Sequence, residues 1–187
     1  MTIGRHDVLA LLSRWRIEVA SAAAVPVVAL ANPSHHAILA CLPLLIAGVA
    51  LRTWARGHLD RRQLTSSGPY AYVRHPLYVG SFSIGLAIAF MTRHPLLPPL
   101  FGVVFVAMYW PKVIREETFQ RERSSPDWDR YAAAVGSVLP RLHAPFVSAD
   151  SRRFTWHRVM RHREWKTWLG TVAALLALWL RAPSSVG

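Results

Sequence analysis

The sequence predicts an all-α, polytopic integral membrane protein with about five transmembrane helices and a long cytoplasmic segment. Three observations predict it. Of the 187 residues, 52% are hydrophobic and only 17% charged. The apolar residues gather into runs long enough, with tilt or local thinning, to cross a hydrocarbon core of about 30 Å. The basic residues alternate between the links that join these runs.

The runs extend from Val19 to Ala31, Ala37 to Val49, Leu77 to Met91, Leu96 to Val113 and Trp165 to Leu180. They show too little amphipathic periodicity for helices of a soluble bundle. Nothing from Met1 to Arg16 reads as a cleavable signal. Residues 1–51 are expected to form a helical hairpin turning at Asn32-Pro33-Ser34, followed by an interfacial stretch, Leu51 to Leu59, rich in arginine and Trp54.

The formal charge of +12 is spread by topology rather than collected into one patch. Arg5, Arg14 and Arg16 precede the first run; Arg52, Arg56, Arg61, Arg62 and Arg74 separate the second from the third; a dense basic set spans Lys112 to Arg163. Only Arg93 falls in the remaining links. That pattern puts the N-terminus and both long loops in the cytoplasm and the C-terminus outside, as in a bacterial inner membrane or another cytoplasm-facing membrane. It favours anionic lipid over nucleic acid as the partner of the charge. The single Cys41 cannot form an internal disulfide, and the scattered histidines give no metal-ligand spacing.

Gly68 to Gly80, GPYAYVRHPLYVG, sets a Gly-Pro turn, an Arg-His pair and three tyrosines at the mouth of the third run. Pro76 suits a first helical position and pushes His75 into an extended, cap-like conformation. Arg74, His75 and the helix N-terminus suit an anionic group, whereas Tyr78, one turn beyond His75, offers a ring face to a cation or a base. Gly80 permits close packing or close approach of a ligand. The short link Thr92-Arg93-His94-Pro95 forces an antiparallel hairpin, which returns Glu116-Glu117 to the membrane face that holds His75. Successive residues lie about 100° apart on a helix, so the two glutamates are expected to do different jobs. Thr118 to Tyr131 reads as a polar helix interrupted near Pro126, and Val135 to Pro145 as an extended lid.

GPYAYVRHPLYVG, a span, and then Glu116-Glu117 resemble the membrane methyltransferase family of isoprenylcysteine carboxyl methyltransferases and phospholipid N-methyltransferases. The resemblance covers about Gly48 to Pro145. It implies S-adenosylmethionine as cofactor, bound by His75, Leu77, Tyr78, Gly80, Glu116 and Glu117, with Tyr131 matching a family tyrosine and Val135 to Pro140 covering the cofactor. The chain departs from the pattern at Trp128, where tyrosine is frequent, at the Arg123-Ser124-Ser125-Pro126 turn, and at Gly136, where proline is frequent. The fifth run lies outside the resemblance.

One membrane domain, residues 1–187, is therefore expected, with its methyltransferase motif region at 68–145 and an extra C-terminal transmembrane helix at 165–181. The implied reaction is methyl transfer to a lipophilic or membrane-associated acceptor at the cytoplasmic face, as in isoprenylcysteine carboxyl methyltransferase. A phospholipid amine and a small thiol are alternative acceptors. Arg141 is the candidate for positioning an anionic acceptor, and equally a basic residue at the membrane surface. Two rivals belong to other classes: an NADPH-dependent membrane reductase and a catalytically silent scaffold. Binding of S-adenosylhomocysteine, of NADP(H) or of neither separates the three.

Overall fold

The computed structural model describes residues 31–60, 63–141, 146 and 152–183, so the expected first span, the polar N-terminus and Gly187 lie outside the described residues. The described chain is helical. It runs through α1 (His35–His58), a 3-10 turn (Gly68–Ala71), α2 (Pro76–Met91), α3 (Leu97–Ser124), α4 (Asp127–Ala134), α5 (Trp156–Arg161) and α6 (Trp165–Arg181). No strand forms among the described residues; Val73 and Gly136 make one isolated parallel bridge.

α1 and α3 are long and apolar enough to cross a membrane, whereas α2 is apolar but shorter. They are not core helices of a soluble protein, because little of either apolar window is buried; Val113 is the one buried residue of α3. Val103 is 68% exposed, and Leu100, Val106 and Trp110 also lie open. So continuous an apolar surface requires a nonaqueous neighbour. The fold supports membrane association on that ground.

Two helices outrun the apolar stretches that mark them in sequence. α1 continues through Leu51–His58, the stretch expected to lie apart at the interface, because leucine, alanine and arginine sustain a helix without apolar surroundings. α3 continues from its apolar half through the charged residues to Ser124. At about 1.5 Å per residue its 28 residues measure about 42 Å. That exceeds a hydrocarbon core of about 30 Å, and the last turns carry Glu116 and Glu117. The polar helix expected from Thr118 is thus the end of α3, and the expected interruption separates it from α4.

Packing holds the two ends of the assembly differently. Away from the motif, Ile38 and Leu45 of α1 pack with Ile84, Ala87 and Met91 of α2 and Leu178 of α6. Cys41 packs at the margin of this cluster. Ser34 caps α1 by accepting a bond from Ala37 N, and Asn32 N donates to Thr92 O, tying the start of α1 to the end of α2. A second cluster joins Trp128, Tyr131 and Val135 beside the motif. α1 and α2 come close at Gly48 and Gly80. A Cβ on Gly80 would lie 2.8 Å from Gly48 O, an approach that only a missing side chain permits.

Candidate functional site

Pro69 lies in the first turn of the 3-10 helix and Pro76 opens α2, so only the short non-helical stretch Tyr72 to His75 joins them. His75 occupies the cap of α2 with φ −121° and ψ 57°. The segment after α4 lies alongside it. Arg74 N donates to Gly136 O, His75 N to Ser137 O, and Arg141 N to Tyr72 O. Val135 to Arg141 is thus non-helical and tethered over the motif; residues 142–145 lie outside the described part.

The hairpin brings the motif's two halves together. His75 Nε2 lies 3.1 Å from Glu117 Oε1, and its Nδ1 lies 3.7 Å from Glu116 Oε2. Tyr78 donates its hydroxyl to Glu116 Oε1 at 2.7 Å. The imidazole and the Tyr78 ring stack at 5.6 Å, so the one-turn spacing read from sequence becomes a ring contact. Glu117 also accepts from Ser137 Oγ at 2.8 Å and faces Arg74 at 3.4 Å, whereas Glu116 faces Lys112 at 3.8 Å. Apart from His75, which faces both, the two carboxylates have different partners.

Burial lowers the affinity of His75 for a proton, and the hydrogen bond and charge of Glu117 offset part of that effect. The neutral ring must present an N–H to Glu117, since a carboxylate only accepts; this assigns the proton to Nε2. Burial also raises the phenols of Tyr70 and Tyr131 well above their ordinary value, so both remain donors. Tyr131 donates to Tyr70 O at 2.7 Å.

A cavity of about 600 Å³ opens beside this cluster. His75, Leu77, Tyr78, Glu116 and Tyr131 line it, as do Arg52, Arg56, Tyr70, Arg74, Tyr109 and Lys112. Of the residues singled out in sequence, Glu117 stands behind His75 and does not line the cavity. Gly80 faces α1 instead, where an added Cβ would lie 2.6 Å from Arg52 Cγ. Arg141 also lies off the cavity. Its Nη1 donates to Ala133 O and Ala134 O at 2.8 and 2.9 Å, capping the end of α4.

Sequence reasoning passes over Tyr70 and Lys112, offers Arg74 both as a partner for an anionic group and as a membrane anchor, and includes Ser137 in the segment expected to cover the cofactor. It also passes over a buried cluster beneath the cavity, in which Glu164 accepts from Arg52 Nε at 2.7 Å and from Arg56 Nε at 3.0 Å. One signal marked it: Glu164 is the sole acidic residue between Arg152 and Arg181. Among the described residues, no three His, Cys, Asp or Glu side chains gather in a way that would hold a metal ion.

Two curated proteins resemble the chain over roughly half its length. The nickel-cobalt-cadmium resistance protein NccN of Alcaligenes xylosoxydans xylosoxydans is 35% identical over 94 residues, covering 49% of this chain and 44% of that protein. The cobalt-zinc-cadmium resistance protein CzcN of Cupriavidus metallidurans is 33% identical over 108 residues, covering 54% and 50%. The chain thus spans about half the length of these relatives. No solved structure matches it. The phospholipid methyltransferase family model matches residues 54–123, which run from the end of α1 through the motif and both glutamates, so the membrane methyltransferase resemblance carried by those residues is that of this family.

Proposed function

We propose that the protein transfers a methyl group from S-adenosylmethionine to a lipophilic acceptor at the cytoplasmic membrane face. One observation carries the reading: within the matched stretch, His75, Tyr78 and Glu116 converge on a cavity whose wall holds unpaired buried donors. The Tyr70 hydroxyl and Arg74 Nε are buried without a hydrogen-bond partner in the described protein. Such donors are costly unless something accepts from them.

The donor set fits the cofactor. Arg56 and Arg74 both offer guanidinium donors for its carboxylate, Glu116 suits its ammonium group, and the aromatic wall at Tyr78 and Tyr109 suits its sulfonium. A volume of about 600 Å³ is in the usual range for a small-molecule site. When bound, the cofactor supplies an electrophilic methyl group on sulfur, open to displacement by the acceptor's lone pair. The chain's own part is to bind, orient and exclude water. Glu117, Ser137 and the tether from Gly136 hold His75 and Arg74 against rotation. A carboxylate or thiolate acceptor needs no further base, whereas an ammonium acceptor must first lose a proton.

The proposal includes five spans, the first outside the described residues and the last being α6, with Gly68 and Arg130 on the cytoplasmic side. Cysteine labelling in a Cys41→Ala background tests it; Gly68 and Arg93 labelled from the same side would overturn it. The names of the two relatives support a second, compatible proposal, that the methylation serves a metal-resistance system. Comparing growth in cadmium with and without an intact cavity, using Glu116→Gln, tests that role.

The decisive measurement incubates membranes containing the protein with methyl-labelled S-adenosylmethionine and identifies the labelled product by mass. A labelled lipid or lipidated product is expected. Absence of label from every membrane component, with folded protein present, would overturn the reading.

A further inference from the structure

Beneath the cavity, two arginines share one carboxylate. Glu164, at the start of α6, is 1% exposed and binds Arg52 through both of its oxygens. Arg56, one turn further along α1, reaches Glu164 Oε2 through Nε alone. The cluster therefore retains one uncompensated positive charge in a largely buried place, which is unfavourable unless an anion answers it.

The two arginines do not share that excess equally. Arg52 spends its donors inside the protein: Nε and Nη2 on Glu164, Nη2 also on Thr167 Oγ1 at 3.2 Å, and Nη1 on Leu77 O and Ser81 Oγ. Arg56 has only its Nε bond among the described residues, which leaves the whole Nη1–Nη2 edge of its guanidinium without a partner. Arg56 lines the cavity and is 19% exposed. The carboxylates on the same wall are already engaged, Asp60 by Arg152 at 3.2 Å and Glu116 by Tyr78.

We propose that Arg56 is the oxyanion-binding residue of the cavity, its Nη1–Nη2 fork oriented by Glu164 from α6 to take a carboxylate or phosphate. The inference deepens the methyl-transfer reading and rests on it for the identity of the ligand. The fork matches two oxygens of one anion, a geometry that lysine cannot reproduce. Two sources supply that chemistry: the carboxylate of the cofactor and the head group of an anionic acceptor. The proposal also gives α6, which lies outside the matched stretch, a part in the site: Glu164 is a positioning residue.

Calorimetry on the full chain in detergent, with wild type, Arg56→Gln, Arg56→Lys and Glu164→Gln, tests this against three probes. These are S-adenosylhomocysteine, 5′-methylthioadenosine, which lacks the carboxylate, and dihexanoyl phosphatidic acid. If the anion is the cofactor's, Arg56→Gln weakens S-adenosylhomocysteine by about ten- to a hundredfold and leaves 5′-methylthioadenosine unchanged. If it is the acceptor's, S-adenosylhomocysteine is unaffected and phosphatidic acid binding falls by a similar factor. Glu164→Gln should weaken whichever probe Arg56→Gln weakens while sparing 5′-methylthioadenosine, a selectivity that a merely structural change would not give. Equal affinity of wild type and Arg56→Gln for both anionic probes overturns the proposal. Should Arg56→Gln not fold, Arg56→Lys binding both probes like wild type overturns it instead. Failure of wild type to bind S-adenosylhomocysteine, together with Arg56-dependent phosphatidic acid binding, would sink the cofactor reading and leave the oxyanion site standing.

Discussion

Tyr78 and Glu116, 38 residues apart in the chain, meet through a 2.7 Å hydrogen bond that joins the start of α2 to the charged extension of α3. The bond exists because the α2–α3 link, Thr92 to Leu96, is only five residues long and α3 does not stop at the end of its apolar run. Both side chains line the cavity. Tyr78→Phe keeps the ring that stacks on His75 and deletes only the hydroxyl. Because Glu116 is 45% exposed, the bond is worth about 1 kcal/mol rather than the larger value of a buried charged pair. Thermal unfolding should report that loss, and calorimetry should show weaker S-adenosylhomocysteine binding. A phenylalanine variant equal to wild type in both would remove Tyr78 from the site.

The buried imidazole of His75 makes stability depend on pH with a definite sign. Its proton affinity is lowered in the fold, so between the folded pKa and the ordinary value of 6.5 the unfolded chain binds more protons than the native one. Stability from this group is fully present above pH 6.5. It is lost as acidification proceeds down through the folded value. Thermal unfolding between pH 7.5 and 5 should show this decline in wild type and a shallower one in His75→Gln, measured in one detergent and at one ionic strength. Parallel profiles would show that His75 does not titrate in this way.

Packing of α1 on α2 gives a prediction about glycine. At Gly80, the Cβ of an alanine would sit 2.6 Å from Arg52 Cγ and 2.8 Å from Gly48 O, and the backbone atom cannot yield cheaply. Gly80→Ala should destabilise by about 1–3 kcal/mol, the usual cost of overpacking. Gly102→Ala is the internal control. Nothing lies within 4 Å of its added Cβ, so unfolding should be unchanged or slightly later. Equal melting of the two variants would contradict the close contact.

The hairpin, the cap at His75 and the different placement of the two glutamates were legible because each rests on local chemistry: a short link, a proline and the angular step of a helix. Gly80 was not, because the residue that decides between packing and ligand approach is Gly48, 32 positions earlier. Glu164 was hidden for a similar reason, since its partner Arg52 lies 112 residues away. Helix ends were misplaced wherever the apolar run was taken to end with the helix. The membrane sets where apolar residues stop, whereas backbone hydrogen bonding and side-chain propensity set where α1 and α3 stop.

Cofactor binding and acceptor handling should separate genetically. His75 and Glu117 sit at the core of the cluster, joined at 3.1 Å, and His75 and Glu116 both line the cavity. His75→Ala and either glutamate-to-glutamine change should therefore weaken S-adenosylhomocysteine by about ten- to a hundredfold, with Glu117→Gln acting through His75 and Arg74 rather than by contact. Arg141 differs in kind. Exposed, off the cavity and engaged with the end of α4, it is expected to leave cofactor affinity nearly unchanged when replaced by alanine. Its backbone N–H, bonded to Tyr72 O, survives that substitution and keeps the segment tethered. If Arg141 also meets an anionic acceptor, Arg141→Ala raises the acceptor's KM or lowers kcat with S-adenosylhomocysteine affinity intact; if it only caps α4, turnover stays near wild type. Loss of cofactor binding in Arg141→Ala, with His75→Ala and both glutamate variants folded and binding normally, would show that the cavity beside His75 is not the cofactor site.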